Sequence, residues 1–241
     1  MFSRIYHFYY CLKGRNPLHP SVWEGRLSPL IFRRFAITDM PRCLELYAAN
    51  EVGRFPERVS ESYEKSLREK TSYFLVAESE GQIIASGGLS YWLREDIAVM
   101  SFGLVLPSHQ GQGIGTTLFL ARLALLNPKR SGYRVFIFAV EKSFGFYRRF
   151  GFRKVRAWQD LHGQNHPSGV LLVTRSEIRR CRVLLREQGI VLPQDEDKIP
   201  FRKEEEVSPV VVKDGSRPVS CDETIGPGIT ICPKCEWTQP K

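Results

Sequence analysis

Glycines at 111, 113 and 115 follow Gln110 in a G-x-G-x-G spacing. Leu118, Leu120, Leu123, Ala124 and Leu126 then recur at helical intervals. Such a turn can bend sharply and meet a ligand with bare backbone. Its N–H groups, added to the positive end of the helix, form a receptor for phosphate. The apolar stretch Met100 to Leu106 just before it reads as a strand able to carry the rest of the ligand. A tight turn with no ligand is the other reading of these residues. A dinucleotide fingerprint fits poorly, because it needs G-x-G-x-x-G and an acidic residue about 20 positions on. Here Lys129, Arg130 and Arg134 make the downstream region basic. A Walker A loop is excluded, since no Gly-Lys-Ser/Thr follows.

The elements around this turn alternate in type. Leu30 to Phe35 reads as a first strand, followed by a helix capped by Thr38 or Asp39, with Pro41 in its first turn. Ser60 to Lys70 reads as a second, charged helix with Ser60 as cap. Tyr73 to Glu78 and Gln82 to Tyr91 are strands of a hairpin turning at Ser79-Glu80-Gly81. Ile97 to Leu106 is the strand that enters the glycine turn. After the long helix come a strand from Val135 to Val140, a short helix around Tyr147 and a strand from Arg153 to Leu161. A polar loop, His162 to Gly169, leads to a last core strand at Val170 to Val173. This order predicts an α/β (α+β) fold, a mixed sheet flanked by helices.

Two segments of this frame carry a resemblance. Gln110-Gly111-Gln112-Gly113-Ile114-Gly115 fits the Q/R-x-x-G-x-G/A signature of the GNAT superfamily of acetyl-CoA-dependent N-acetyltransferases. Downstream, Phe146-Tyr147-Arg148-Arg149-Phe150-Gly151-Phe152 is similar to the family's F-Y-x-x-x-G-F segment, after a strand as in the family. The resemblance covers about Leu30 to Val173. It implies a GNAT-like acyl-CoA N-acyltransferase fold over residues 29–190, with an N-terminal extension (1–28) and a C-terminal extension (191–241). Two departures stand out. Val140 replaces an asparagine the family often has, which removes one polar hold on the pantetheine arm, and Ser143 replaces the usual alanine.

The resemblance also implies a division of labour. Gly103, Leu104 and Val105, an interrupted strand, would offer backbone groups to the pantetheine arm, and Gly103 would let the strand bulge and open a cleft beside its neighbour. Gln110, Gly111, Gln112, Gly113, Ile114, Gly115 and Thr116 would hold the pyrophosphate. A backbone N–H at Leu104 or Val105 would stabilise charge on the thioester oxygen as an oxyanion hole does. Tyr147 would serve the leaving thiolate; a phenol at about 10 against a thiol at about 8.5 makes full proton transfer mildly uphill. The other reading of Tyr147 is an aromatic packed beside Phe146 and Phe150. An amine at about 10.4 is mostly protonated at neutral pH, so a base is needed. Glu95, Asp96, Glu141 and His109 lie near the motifs, and Ser101 could relay only through water.

Composition sets the outer bounds. The 241 residues are 42% hydrophobic, enough for one substantial core with appendages. No run approaches the roughly 20 apolar residues of a membrane-spanning helix. The aromatic start, Met1 to Leu12, lacks a signal-peptide pattern and is expected to contact the domain or a partner. A cytoplasmic protein is the expectation. The net charge of +9 suits a polyanionic cosubstrate, with Arg122, Lys129, Arg130, Arg148, Arg149, Arg153 and Lys154 as a basic field. Arg175, Arg179, Arg180, Arg182 and Arg186 form a second cluster, read as a solvated helix face, with an acidic partner such as RNA as the alternative. No nucleic-acid motif supports that alternative.

Cys232-Pro233-Lys234-Cys235 is a C-x-x-C pair, read as a solvated or redox-active tail more readily than as half a zinc site with Cys221. No metal site is therefore expected. The acceptor is expected to be a small-molecule or peptide amine, attacked directly in a ternary complex. The competing function is a GNAT-fold module that binds acyl-CoA without chemistry and serves a partner through its ends.

Overall fold

A computed structural model describes residues 16–51, 59–92, 97–127, 132–159, 165–195 and 198–202. The expectations for Met1 to Leu12, for Glu95 and Asp96, for Lys129 and Arg130, and for Cys221, Cys232 and Cys235 fall outside them. The chain runs β1 (Phe32–Arg34), α1 (Met40–Glu51), α2 (Val59–Arg68), β2 (Tyr73–Ser79), β3 (Gln82–Trp92) and β4 (Ile97–Val105). It continues with α3 (Ile114–Ala124), β5 (Gly132–Phe138), α4 (Glu141–Arg148), β6 (Arg153–Gln159), β7 (Asn165–Thr174), α5 (Arg175–Glu187) and β8 (Phe201–Arg202).

The sheet order is β1-β2-β3-β4-β5-β7-β6, with β8 parallel to the end of β3. Along this order only β4 and β5 run parallel, joined by the α3 crossover; the other neighbours are antiparallel. This is the expected mixed α/β sheet. Helix α3 is buried at every position except Gly115, so its apolar composition makes it a core helix against the sheet. A second apolar cluster covers the opposite face, where Cys43, Leu46, Tyr63 and Leu67 of α1 and α2 meet Phe74, Val76 and Leu104.

Several details depart from the sequence pattern. β7 begins at Asn165, so the stretch read as the end of a polar loop pairs with both β5 and β6, and His166 and Ser168 are buried. Asn-His-Pro-Ser-Gly shows no alternation, and sheet neighbours decide its conformation instead. Asp39 does not cap α1. Residues Ile37–Asp39 form a 3-10 turn, and the carboxylate turns back to accept from the Ala36 N–H at 2.8 Å. Arg33 holds it with two hydrogen bonds, at 2.6 and 2.9 Å. Ser60 lies inside the first turn of α2, not at its cap.

The arginines of α5 are not one solvated face. Arg175, Arg179 and Arg186 are exposed, but Arg182 donates to the carbonyls of Ala124 at 2.6 Å and Leu126 at 3.3 Å. It thus satisfies the open carbonyls at the end of α3 and puts a cation at the negative end of the dipole. α5 itself starts at a Thr174/Glu177 capping box. Residues ahead of 29 also join the core. Leu18 and Trp23 are buried, Trp23 stacks on Phe150 at 4.6 Å, and Asn16 donates to Glu177 at 2.9 Å.

Candidate active site

β4 is a strand of two halves. Its pairing with β5 runs from Ile97↔Arg134 to Met100↔Ile137, while β5 continues with β7 to Phe138↔Ser168. From Ser101 on, the β4 edge facing β5 therefore pairs with no strand among the described residues. On the other edge, Ser86 pairs with Leu104 and Gly88 with Ser101. One β3 residue, Gly87, thus faces both Phe102 and Gly103 in a bulge. Phe102 takes the left-handed backbone at φ 45°, uncommon for a residue with a side chain. Its ring is held by Tyr63 at 4.9 Å and Phe74 at 6.2 Å.

The glycine turn follows at the end of this half. Gly111 and Gly113 have φ of 80° and 84°, which disfavours a side chain at either position. Gly113 is also crowded: a Cβ there would stand 2.4 Å from the carbonyl oxygen of Arg26. Gly115 lies against Phe146 and Val105, at 3.5 and 3.7 Å from the same imagined atom. Gln110 fastens the turn to the strand, its Nε2 donating to the Val105 carbonyl at 3.0 Å and to Asn50 Oδ1 at 3.2 Å. Ser28 fastens the other side. Its hydroxyl donates to the Gln112 carbonyl, and its N–H to Thr117 Oγ1 at 3.0 Å. α3 starts after Gly113 with no side-chain cap from that residue, so its first turn exposes the positive end of the helix.

Tyr147 lies across from the bulge. Its ring meets the edges of Phe119, Phe146 and Phe152 at 6.2, 5.1 and 5.5 Å. Its hydroxyl lies 3.2 Å from where a Cβ on Gly103 would stand. The ring thus packs among aromatics while the hydroxyl faces the bulge. Val140 precedes α4 without a side-chain cap, and Ser143 donates its hydroxyl to the Val140 carbonyl at 3.0 Å.

The structure thus brings the Tyr147 hydroxyl to Gly103 and the glycine turn to Val105, whereas the Leu104 side chain is buried in the opposite cluster. The proposed bases do not converge there as clearly. Glu141 is exposed and pairs with Lys154 at 3.7 Å, and His109 Nδ1 shares a hydrogen bond with Ser108 at 2.9 Å. The Ser101 hydroxyl is buried without a hydrogen-bond partner and lies over Gly88. Arg122 is not part of a solvated basic field: it is 1% exposed. Its place at helical spacing from Leu118 and Phe119 was the available signal that it faces inward. Asn50, far from the motif in sequence, gave no such signal. On the opposite face, burial pushes the Cys43 thiol up to about 11, so it offers no thiolate at neutral pH.

The fold is a mixed α/β sheet with a glycine turn beside a split strand pair. Residues 70–154 match the family model of the acetyltransferase (GNAT) domain. A GNAT-family protein from Desulfovibrio desulfuricans is 14% identical, with 61% of this chain and 99% of that one aligned at a TM-score of 0.50; it shares the fold. A GNAT acetyltransferase from Brucella melitensis, in complex with acetyl-CoA, is 23% identical over 59% of this chain and 86% of its own, at a TM-score of 0.45. N-acetylglutamate synthase from Neisseria gonorrhoeae, with coenzyme A and N-acetyl-glutamate, is 20% identical over 61% and 35% at 0.48. No curated protein sequence matches the chain. Among the described residues, no helix is long and apolar enough to cross a membrane.

Proposed function

We propose that the protein is an acetyl-CoA:amine N-acetyltransferase in which the amine attacks directly in a ternary complex. One observation carries this reading: β4 parts from β5 at Met100↔Ile137, between the glycine turn and the Tyr147 hydroxyl. A peptide-like pantetheine arm suits the freed edge at Gly103, Leu104 and Val105, since it can replace the missing strand's hydrogen bonds. The bare N–H groups of residues 111–116 suit the pyrophosphate. Acetyl-CoA supplies the activated acyl group.

The chain's own residues would then divide three tasks. The Leu104 or Val105 N–H, fixed by the bulge, polarises the carbonyl to be attacked. Tyr147 faces the departing sulfur and donates a hydrogen bond or a proton to it. The acceptor enters from the α1 and α2 side, where Phe102 and Ser101 face the second apolar cluster. A small-molecule or peptide amine fits this chemistry, and a cytoplasmic setting is part of the proposal.

Thermal unfolding with and without acetyl-CoA tests the binding, and free-thiol release across a panel of amines tests the chemistry. A raised midpoint and amine-dependent thiol release are expected. No shift would overturn the acyl-CoA reading, whereas a shift without thiol release for any amine would leave a non-catalytic acyl-CoA-binding module.

A further inference from the structure

Residues 16–28 have no task in the acetyltransferase reading, although their far end meets the glycine turn. The segment is firmly anchored. Leu18 and Trp23 are buried, and Trp23 Nε1 donates to the Pro17 carbonyl at 2.7 Å. The indole stacks on Phe150, in the segment that carries Tyr147. From that anchor the chain passes Gly113 so closely that the Arg26 carbonyl oxygen stands 2.4 Å from where a Cβ would be. This strap thus backs one face of the turn.

Ser28 then ties the peptide planes on both sides of Gly113. Its hydroxyl donates to the Gln112 carbonyl, the oxygen of the plane before Gly113. Its N–H donates at 3.0 Å to Thr117 Oγ1. That hydroxyl in turn donates at 3.1 Å to the Gly113 carbonyl, the oxygen of the plane after it. A trans peptide is planar, with its N–H directed opposite to its C=O. Fixing these two oxygens therefore aims the N–H groups of Gly113 and Ile114 at the start of α3. Gly111, Gly113 and Gly115 leave the turn little stiffness of its own, because glycine loses the most conformational freedom on ordering.

We propose that Ser28 is a positioning residue for the cosubstrate: through it the strap holds the turn in its receiving shape before the diphosphate arrives. This rests on the acetyltransferase reading, which puts the diphosphate at that turn. Without the hydroxyl the turn visits other shapes. Apparent affinity then falls with the fraction of protein that still has the receiving one. One neutral hydrogen bond corresponds to a loss of about three- to tenfold. The segment ahead of β1 is, on this account, part of the cosubstrate site and no mere appendage to the domain.

The test measures acetyl-CoA binding by calorimetry, and backbone amide NMR spectra without ligand, on the full-length wild type and three variants. Ser28→Ala should weaken acetyl-CoA about three- to tenfold, with little change in thermal midpoint. It should also shift or broaden the amide signals of Gly111, Gly113 and Gly115 in the unliganded protein, while Ile97 to Met100 keep theirs. Thr117→Val breaks the second link without touching the strap and should act the same way. Asn16→Ala removes the segment's 2.9 Å bond to Glu177, away from the turn. It should lower the midpoint and leave both the affinity and the glycine signals as they are. Wild-type affinity in Ser28→Ala overturns the inference. So does an equal loss of affinity in Asn16→Ala, which would assign the effect to general loosening of the segment. A wild type that does not bind acetyl-CoA would instead overturn the acetyltransferase reading itself.

Discussion

The two halves of β4 share one strand and differ in almost everything else. Ile97 to Met100 are buried, apolar and hydrogen-bonded to strands on both sides. Ser101 to Val105 keep only the β3 side, carry a bulge and a left-handed Phe102, and include the exposed Gly103. The first half adds stability and holds the sheet. The second gives up pairing on the β5 side and so leaves backbone groups there with no strand partner among the described residues. A site can thus arise where a sheet stops pairing, provided that the neighbouring half is firm enough to hold it open.

Substitutions should separate these halves, beginning with the largest effect. Tyr147→Phe removes only the hydroxyl that faces the bulge. It should lower kcat by about 10²–10⁴-fold, with acetyl-CoA affinity and thermal midpoint nearly kept; a fully active variant would show that the ring only packs. Met100→Ala, in the paired half, should cost about 2–5 kcal/mol in denaturant unfolding while leaving the affinity of the remaining folded protein near normal. Gly113→Ala meets a left-handed backbone and the Arg26 carbonyl, so it should cost about 1–3 kcal/mol and weaken acetyl-CoA binding beyond that loss.

The smallest effect lies away from both halves, at Asp39. Burial works to raise its pKa, but hydrogen bonds from Arg33 and the Ala36 N–H prevail and lower it. A carboxyl depressed in the folded state gives stability that is present above its unfolded value of about 3.9 and is lost as pH falls further. Asp39→Asn should therefore flatten the loss of stability below about pH 4, measured by thermal unfolding, without changing kcat. An unchanged acid limb would assign that loss to other carboxylates.

Much of the arrangement was legible from local chemistry. The glycine spacing and the helical run after it set the turn and α3, and two apolar stretches joined by Ser79-Glu80-Gly81 set the β2–β3 hairpin. Tyr147 was readable because its segment repeats a family pattern. A bulge was legible at Gly103, but the left-handed Phe102 and the point where β5 parts from the strand were not, since nothing in Ser-Phe-Gly-Leu specifies where a partner strand leaves. Arg122 had its spacing from Leu118 and Phe119 as a signal, but its charge pointed to solvent, whereas the helix around it is buried at every position except Gly115. Asn165 to Gly169 looked like loop because its strand character comes from two neighbours distant in sequence. The integration of Trp23 with Phe150 is also a tertiary contact that local pattern does not encode.

The most direct test is residue-resolved amide hydrogen exchange, by NMR, with and without acetyl-CoA. Added protection should appear at residues 101–105 and 111–116, while Ile97 to Met100, already paired, should show only the change in global stability. Protection spread evenly over both halves of β4, or none at the glycine turn, would contradict the claim that the unpaired half and the turn hold the cosubstrate.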